Sequence, residues 1–303
     1  MHPFNHILVG LELGPRGNSI GSGSRLALKE AITLARLNEA RLTLLHSTAA
    51  DEHWEADLEG FTYREAGLSE EGRSALQNAV AECRDAGIEA QLSLVEEKAW
   101  VEMIRAVQRD GHDLVIVGKL AGNQDHPHRL GSVSQKLLRK CPCPVWAVKP
   151  GVEPIPKNVV VGADRSTCGD NALKMAAQLC RAWEAQLHVV MALSVPMDVQ
   201  MSGTREDYEK KMAEKHRADL LTLCTEAGLP AEQFHSHIGI AAPTTAIMAC
   251  VTGHHADLLV MGSVGRQGVV GLLMGNTAER LLGNVDCSLL VVKPEDFVLP
   301  EEI

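Results

Sequence analysis

A repeat of roughly half the chain is the feature that most constrains its fold. DLVIVG at 113–118 returns as DLLVMG at 257–262, an offset of 144 residues. The same offset, or one residue more, relates three further pairs: Gly131 and Gly275, AVKP at 147–150 and VVKP at 291–294, and ALKEA at 27–31 and ALKMA at 172–176. The offset grows to 152 only for the opening strands, ILVGLE at 7–12 and VVVGAD at 159–164, so the change in length falls in one loop. Because insertions concentrate in loops, this pattern predicts two homologous halves.

Each half alternates strand and helix signals. In the first half, short apolar runs predict strands at 6–11, 42–46, 89–95, 114–117 and 144–148. In the second half they predict strands at 158–163, 187–192, 233–239, 258–261 and 288–292, with helices at 169–183, 206–227, 243–252 and from 277. Strict alternation of strand and helix predicts α/β domains, each built on a parallel sheet. Residues 1–150 are expected to form one domain and 151–303 the other, with the proline-containing segment 151–156 as the linker.

The composition of the 303 residues narrows the class of protein. A net charge of −10 argues against nucleic acid as a main partner, because neutralising phosphates requires a basic surface. No apolar run approaches the about 18 residues that span a membrane, and the first residues, MHPFNHILVG, do not resemble a secretion signal. The eight cysteines are scattered and do not form a disulfide framework. We therefore expect a soluble, cytoplasmic protein without membrane or nucleic-acid partners.

Glycines follow the fourth strand of the second half at a regular spacing. Gly262 and Gly265 are followed, after nine residues, by Gly275, Asn276 and Thr277. Ligands bind open α/β sheets at the carboxyl ends of strands, and glycine lets a backbone approach a ligand closely. Asn276 is the expected N-cap of the next helix, with a glutamate three residues later completing a capping box, and amides at such a helix start bind phosphate. From these residues alone, a glycine-rich turn before an ordinary capped helix remains the alternative.

This spacing resembles the nucleotide-binding motif of the universal stress protein (UspA) family, and the resemblance extends over nearly the whole chain. Each half opens with a strand that ends in an acid, continues with a helix carrying Ala-Leu, and closes with a strand similar to Pro-Val-x-Val-Val; the first half also has a Leu-Leu-His strand at 44–46. The tandem arrangement is similar to the UspE-type branch of the family. The resemblance implies two doubly wound, five-stranded parallel sheets of the Rossmann-like, adenine nucleotide alpha hydrolase type, each with strand order 3-2-1-4-5.

When the family's site positions are matched to this sequence, the resemblance implies an ATP site in the second half. Asp164 matches the acid that contacts the adenosine, Ala192 lines the adenine pocket, and Met261 lies beside it. Five further positions match those that hold the ribose and the phosphates: Gly262, Gly265, Gly275, Asn276 and Thr277. ATP with Mg²⁺ is the expected ligand, and a sensor or regulator of the stress response is the expected function. For Asp164, a helix-capping or turn acid is the alternative interpretation.

The first half departs from this pattern. Its second glycine position holds Ala121, its acid is Glu12, and the stretch at 123–129 is polar where its counterpart is apolar. We therefore expect the first half to bind nucleotide weakly, differently or not at all. Its own glycine-rich loop, Gly14–Ser24, lacks the lysine and the spacing of a phosphate loop, and we interpret it as a surface insertion capped by Ser24.

No catalytic residue is predicted. The chain has neither a nucleophile elbow nor the protein-kinase motifs, and the SGGxDS loop of ATP pyrophosphatases is absent after either first strand. This favours a protein that holds ATP and hydrolyses it slowly at most. No metal site is predicted either, because none of the histidine groups has the spacing of zinc ligands. These groups are Asp125-His126-Pro127-His128, His235 with His237, and His254 with His255.

A second class of function stays open. The altered loop of the first half would suit a stress scaffold that binds no nucleotide, or a protein that binds a metabolite or a metal.

Apolar strands at sheet edges need cover, so the fifth strands of the two halves, at 145–148 and 288–292, are expected to pair within the chain as a pseudo-dimer. The sequence defines neither the protein partners nor whether whole chains form a further dimer.

Overall fold

The computed structural model describes residues 4–49, 68–121, 128–149, 155–193, 205–264 and 274–297. Its contacts divide the chain into two compact units, Met1–Pro154 with Phe297–Ile303, and Ile155–Asp296. The second unit thus begins inside the segment expected as a linker, 151–156. Within the described residues, no helix combines the length and the apolar character that crossing a membrane requires.

The first unit is a parallel α/β sheet with a small antiparallel pair beside it. Its strands are β1 (His6–Gly10), β2 (Arg41–Ser47), β3 (Ala90–Val95), β4 (Leu114–Gly118), β5 (Leu120–Ala121), β6 (His128–Arg129) and β7 (Val145–Val148). Its helices are α1 (Ser22–Asn38), α2 (Glu70–Asp85), α3 (Ala99–Asp110) and α4 (Ser132–Lys140). The parallel sheet has the order β3-β2-β1-β4-β7, and β5 pairs with β6.

The second unit repeats this architecture. Its strands are β8 (Asn158–Gly162), β9 (Gln186–Ala192), β10 (Phe234–Gly239), β11 (Leu258–Gly262) and β12 (Ser288–Val292). Its helices are α5 (Thr167–Trp183), α6 (Arg205–Glu226), α7 (Pro243–Gly253) and α8 (Asn276–Leu282). The strands follow the order β10-β9-β8-β11-β12, all parallel. The predicted strand order 3-2-1-4-5 is therefore confirmed in both units.

Helices cover both faces of the second sheet. A Cβ on Gly162 of β8 would contact Ile247 of α7, whereas a Cβ on Gly262 of β11 would contact Cys168 of α5. Gly162 pairs in register with Met261, the residue before Gly262. Since consecutive strand residues point to opposite faces, α5 and α7 lie on opposite sides of the sheet. Burial on both sides explains why β8, β11 and β12 are continuous apolar runs and not alternating ones.

The carboxyl ends of three neighbouring strands meet at one edge of this sheet. The residue that follows each strand donates one more ladder hydrogen bond to the neighbouring strand. These bonds run from Ala163 N to Val190 O (2.9 Å), from Leu193 N to Gly239 O (2.8 Å) and from Ser263 N to Val292 O (2.8 Å). The ends of β8, β9 and β11 are thereby held at the edge where open α/β sheets bind ligands.

The start of α1 differs from the prediction that Ser24 caps it. The helix begins at Ser22, after an N-cap glycine that makes no side-chain cap bond. Ser24 lies in the first turn, and its hydroxyl accepts a hydrogen bond from the backbone N–H of Glu12 (2.8 Å). The capping prediction is therefore wrong, because this hydroxyl ties the helix to the residues after β1 instead of binding helix amides.

Candidate functional site

The acid that ends the first strand of the second unit is held at the start of α5. The Oδ1 atom of Asp164 accepts hydrogen bonds from the backbone N–H of Ser166 (3.0 Å) and from its hydroxyl (2.6 Å). Ser166 is the N-cap of α5, and its Oγ accepts a bond from Gly169 N (3.0 Å). Asp164 thus takes the turn geometry that was the alternative interpretation of this residue, and its half-buried carboxylate lies at the carboxyl edge of the sheet.

Two glycines allow α5 to lie this close to the strand ends. A Cβ at Gly169 would collide with Asp164 Oδ1. A Cβ at Gly262 would lie 2.9 Å from Cys168 Sγ and 3.1 Å from the Cys168 carbonyl carbon. The sequence explains Gly262 by the approach of a ligand, but the structure supplies a packing reason for the same glycine.

The segment after β11 returns to the sheet before α8 begins. The N–H of Gly275 donates to Ser263 O (2.7 Å), and Gly275 O accepts the first helical bond from Glu279 N (2.9 Å). Gly275 is therefore the N-cap, and it makes no side-chain cap bond. The prediction that Asn276 is the N-cap is wrong, since the bond to Ser263 fixes Gly275 as the last residue outside the helix and makes Asn276 the first one inside it.

The other predicted residues lie around the same edge. Ala192 ends β9 and is half-buried, whereas Met261 in β11 is 4% exposed. Both belong to one face of the sheet, because Met261 and Val190 both pair with Gly162 and Ala192 follows Val190 by two residues. Asn276 and Thr277 form the first turn of α8, Asn276 being exposed. Gly265 lies outside the described residues.

Ser263 belongs to this site but was not predicted from the sequence. Its side chain is fully buried, and its backbone is bonded at both ends, to Val292 and to Gly275. Cys168 lies against it: burial raises the pKa of the Cys168 thiol, and hydrogen bonding with Val264 and Ser263 opposes that rise. The thiol is therefore protonated, and its Sγ donates a hydrogen bond to Val292 O (3.3 Å) at the end of β12. The sequence marks Ser263 only by its position, because it directly follows the glycine that ends the strand.

The corresponding edge of the first unit is built differently. Lys119, fully buried, takes the place of Ser263 and makes the same backbone bond, from its N to Val148 O (2.8 Å). Ser24 stands where the second unit has Gly169, and its hydroxyl holds the backbone of Glu12. Two positions of the candidate site thus carry different side chains in the two units. Ala121 lies in β5, and residues 122–127 of the altered loop lie outside the described residues.

Two tandem parallel α/β units, each with its first helix packed on the glycine that ends the fourth strand, define a duplicated Rossmann-like protein. The sequence model of the universal stress protein family matches residues 3–149 and again residues 156–293. The chain belongs to the universal stress protein family, and carries its domain twice.

Relatives that match this chain over most of their own length support this assignment. The chain is 26% identical to universal stress protein E of Photorhabdus laumondii over 262 residues, which cover 80% of this chain and 81% of the relative. It is 27% identical to universal stress protein E of Escherichia coli K12 over 237 residues, 72% of this chain and 73% of the relative. A universal stress protein from Archaeoglobus fulgidus shares the fold, with a TM-score of 0.66 at 21% identity, covering 95% of this chain and 98% of that one.

Proposed function

We propose that the second unit binds an adenine nucleotide, ATP with Mg²⁺, and that the protein serves as a cytoplasmic sensor or regulator of the stress response. The observation that carries the proposal is the position of Asp164: a half-buried carboxylate at the carboxyl edge of β8, next to the strand end from which the Gly262–Gly275 loop departs. In open α/β sheets such a crevice is where nucleotides lie, with a carboxylate suited to the ribose hydroxyls.

The proposed ligand contacts follow the family pattern. Asp164 binds the adenosine part, Ala192 and Met261 line the adenine side, and backbone groups from Gly262 to Thr277 hold the ribose and phosphates. Mg²⁺ enters with the phosphates of ATP, since Mg²⁺ is usually held by substrate phosphates together with few protein ligands. No protein residue is assigned a catalytic role, and ATP hydrolysis is slow at most.

The first unit is proposed to bind this nucleotide weakly or not at all. Ser24 places a hydroxyl where Gly169 leaves room for a carboxylate, and buried Lys119 replaces Ser263. The expected stoichiometry is therefore one ATP per chain.

Calorimetric titration of the full chain with ATP and Mg²⁺ tests the proposal, with Gly275→Val as the site variant and Gly131→Val as the matched control. Both glycines are N-caps with similar backbone angles, φ −77° and ψ 156° at Gly275 and φ −67° and ψ 164° at Gly131. These backbone angles are allowed for residues that carry a side chain, so the two variants share any backbone cost to the helix cap.

Gly275→Val should weaken ATP binding by at least about tenfold, or about 1.4 kcal/mol, whereas Gly131→Val should bind like the unmodified chain. If Gly275→Val binds ATP as tightly as the unmodified chain, the assignment of the ATP site to the second unit is wrong. Two equal sites, one lost in each variant, would show that the first unit binds as well. A chain that binds no adenine nucleotide would favour the alternative class, a scaffold or metabolite-binding protein.

A further inference from the structure

Three histidines that are far apart in the sequence meet in the second unit. His188 lies in β9, His237 in β10, and His254 directly follows α7. One ring nitrogen from each lies within 4.8 Å of the other two, and His188 Nδ1 and His237 Nε2 are 3.1 Å apart. Sequence spacing predicts no metal site here, because the three residues come from separate elements.

The register of the sheet explains this convergence. His188 pairs with His235, and His237 follows two residues later on the same face of β10. Ser236, between them, faces the other way and accepts a hydrogen bond from Arg217 of α6 (3.0 Å). The histidine face is the one covered by α7, and the end of this helix places His254 over the strands.

The environment of the three rings suits a ligand set. His188 is 6% exposed and the other two are half-buried, so the cluster lies at the margin of the core, within reach of solvent. The His188 and His254 rings stack with centroids 4.0 Å apart, and those of His237 and His254 are 4.8 Å apart. Burial and the neighbouring histidines lower the pKa of His188 to about 4 and also lower that of His237. Both rings are therefore neutral at pH 7, the form that binds metal ions.

We propose that His188, His237 and His254 form a binding site for a divalent transition-metal ion, with Zn²⁺ as the best-fitting occupant and a fourth position left to water or a small ligand. Zinc binds imidazole nitrogen at about 2.0–2.1 Å in tetrahedral sites, which places two such nitrogens about 3.3 Å apart. The His188–His237 pair already has nearly this separation. Small rotations of the rings would bring the His254 nitrogen, now within 4.8 Å of the other two, to bonding distance from the ion.

The cluster shares no residue with the candidate nucleotide site. His188 is the third residue of β9 and His254 precedes β11, so these two lie toward the amino ends of the strands, whereas His237 is the fourth of the six residues of β10. Asp164 and Gly275 follow the carboxyl ends of β8 and β11. Metal binding is thus expected to proceed without nucleotide, and its outcome does not depend on the ATP proposal.

The first unit provides an internal contrast. Its residues at the positions equivalent to the three histidines are Thr43, Ser93 and Asp110. Thr43 there accepts a side-chain hydrogen bond from Gln91 (3.0 Å), an ordinary polar contact between β2 and β3. The proposal therefore predicts one site per chain.

Titration of the metal-free full chain with Zn²⁺, in competition with a chelating indicator dye, tests the proposal. One Zn²⁺ per chain is expected. His237→Gln and His254→Gln should each weaken binding by well over about tenfold, since loss of even an outer hydrogen-bond partner of a metal ligand costs about 10- to 100-fold. Two controls should bind like the unmodified chain: His255→Asn, at an exposed neighbour whose φ of 48° asparagine tolerates, and His126→Ala/His128→Ala in the first-half loop.

Co²⁺ added to the unmodified chain provides a readout that does not depend on how the variants fold. Tetrahedral Co²⁺ gives intense visible absorption, and this absorption should be lost on addition of Zn²⁺. No Zn²⁺ binding at 100-fold excess, full binding by both triad variants, or loss of binding in the His126→Ala/His128→Ala control would each overturn the proposal. The last result would place the metal in the first half. His188, His237 and His254 would then be a hydrogen-bonded and stacked cluster that binds no metal.

Discussion

Asp164 Oδ1 occupies the space that a Cβ on Gly169 would need. The acid at the end of β8 can therefore lie over the first turn of α5 only because position 169 has no side chain. At the equivalent position the first unit has Ser24, whose hydroxyl binds the backbone N–H of Glu12 (2.8 Å). The two units thus differ in the group that occupies the space beside the acid after the first strand: the hydroxyl of Ser24 in the first unit and no side chain at Gly169 in the second.

Gly169→Ser should transfer the arrangement of the first unit to the second. The new Cβ displaces the Asp164 carboxylate and breaks its bonds to Ser166, so ATP binding should weaken by at least about tenfold, or about 1.4 kcal/mol. Calorimetric titration with ATP and Mg²⁺ measures the change. Ser24→Gly, the reverse exchange in the first unit, is the control and should leave ATP affinity as it is. If Gly169→Ser binds ATP as tightly as the unmodified chain, Asp164 does not contact the ligand and serves only to form the turn before α5.

Gly262→Ala should destabilise the protein whether or not nucleotide is present. Its Cβ would lie 2.9 Å from Cys168 Sγ, closer than packing tolerates, and overpacking of this kind costs about 1–3 kcal/mol. Urea unfolding without ligand measures the effect. Combining it with Cys168→Ala removes the nearest contact and should recover part of the loss, which a double-mutant cycle quantifies.

Gly239→Ala is the matched control for this experiment. It ends a strand of the same sheet, and a Cβ there meets nothing within 4 Å. Its unfolding free energy should stay within about 0.5 kcal/mol of the unmodified chain. Equal stability of Gly262→Ala and Gly239→Ala would contradict the packing role and return Gly262 to an explanation by ligand approach alone.

Glu30→Met should stabilise the first unit, and more so at higher pH. Glu30 is 4% exposed in α1, its Oε1 has no hydrogen-bond partner, and burial raises its pKa well above the ordinary value. A raised pKa in the folded state means that stability is lost as pH rises above the unfolded value. Its counterpart in the second half is Met175.

The expected gain from Glu30→Met is about 1–3 kcal/mol at pH 8, the cost of a buried polar group without a partner, and less at pH 5. Thermal unfolding between pH 5 and pH 8 measures it. The reciprocal change, Met175→Glu, should destabilise the chain with the same pH trend. A gain that is equal at pH 5 and pH 8 would show that Glu30 is not the titrating group.

Most element bounds were predictable because they depend on local patterns, whereas the strand order came from the family resemblance and not from any local pattern. The apolar runs of β8 and β11 are buried on both faces, so their composition marks them directly. The N-cap of α8 was predicted one residue late: Asn276 is the better capping residue by type, but the bond from Gly275 to Ser263 decides the boundary. A contact across the loop overrides local preference there.

The sites depend on geometry that no single segment contains. The relation of Asp164 to Gly169 follows from how the first turn of α5 lies on the sheet. The meeting of His188 and His237 follows from the register of two strands that are 49 residues apart in the chain. A sequence pattern can place each of these residues in an element, but the distance between elements is set by packing.

His188→Leu should reduce the acid sensitivity of the metal-free protein. The pKa of His188 is lowered to about 4, first by burial and then by His254, His237 and His235. Between the unfolded value of about 6.5 and the folded value, the unfolded chain binds a proton that the folded chain does not. The free energy of unfolding therefore falls as pH drops through this range, by roughly 3 kcal/mol from this group, and stops falling below it.

In His188→Leu this contribution is absent, so the variant should lose less stability than the unmodified chain between pH 7 and pH 4.5. Urea unfolding in the presence of a metal chelator measures both proteins at the two pH values. Part of the dependence should remain, because burial also lowers the pKa of His237. His255→Asn, at the exposed neighbour of the cluster, should keep the full dependence. Parallel curves for His188→Leu and the unmodified chain would mean that His188 is not the group whose protonation weakens the fold, and that the rings of the cluster can take up a proton at little cost.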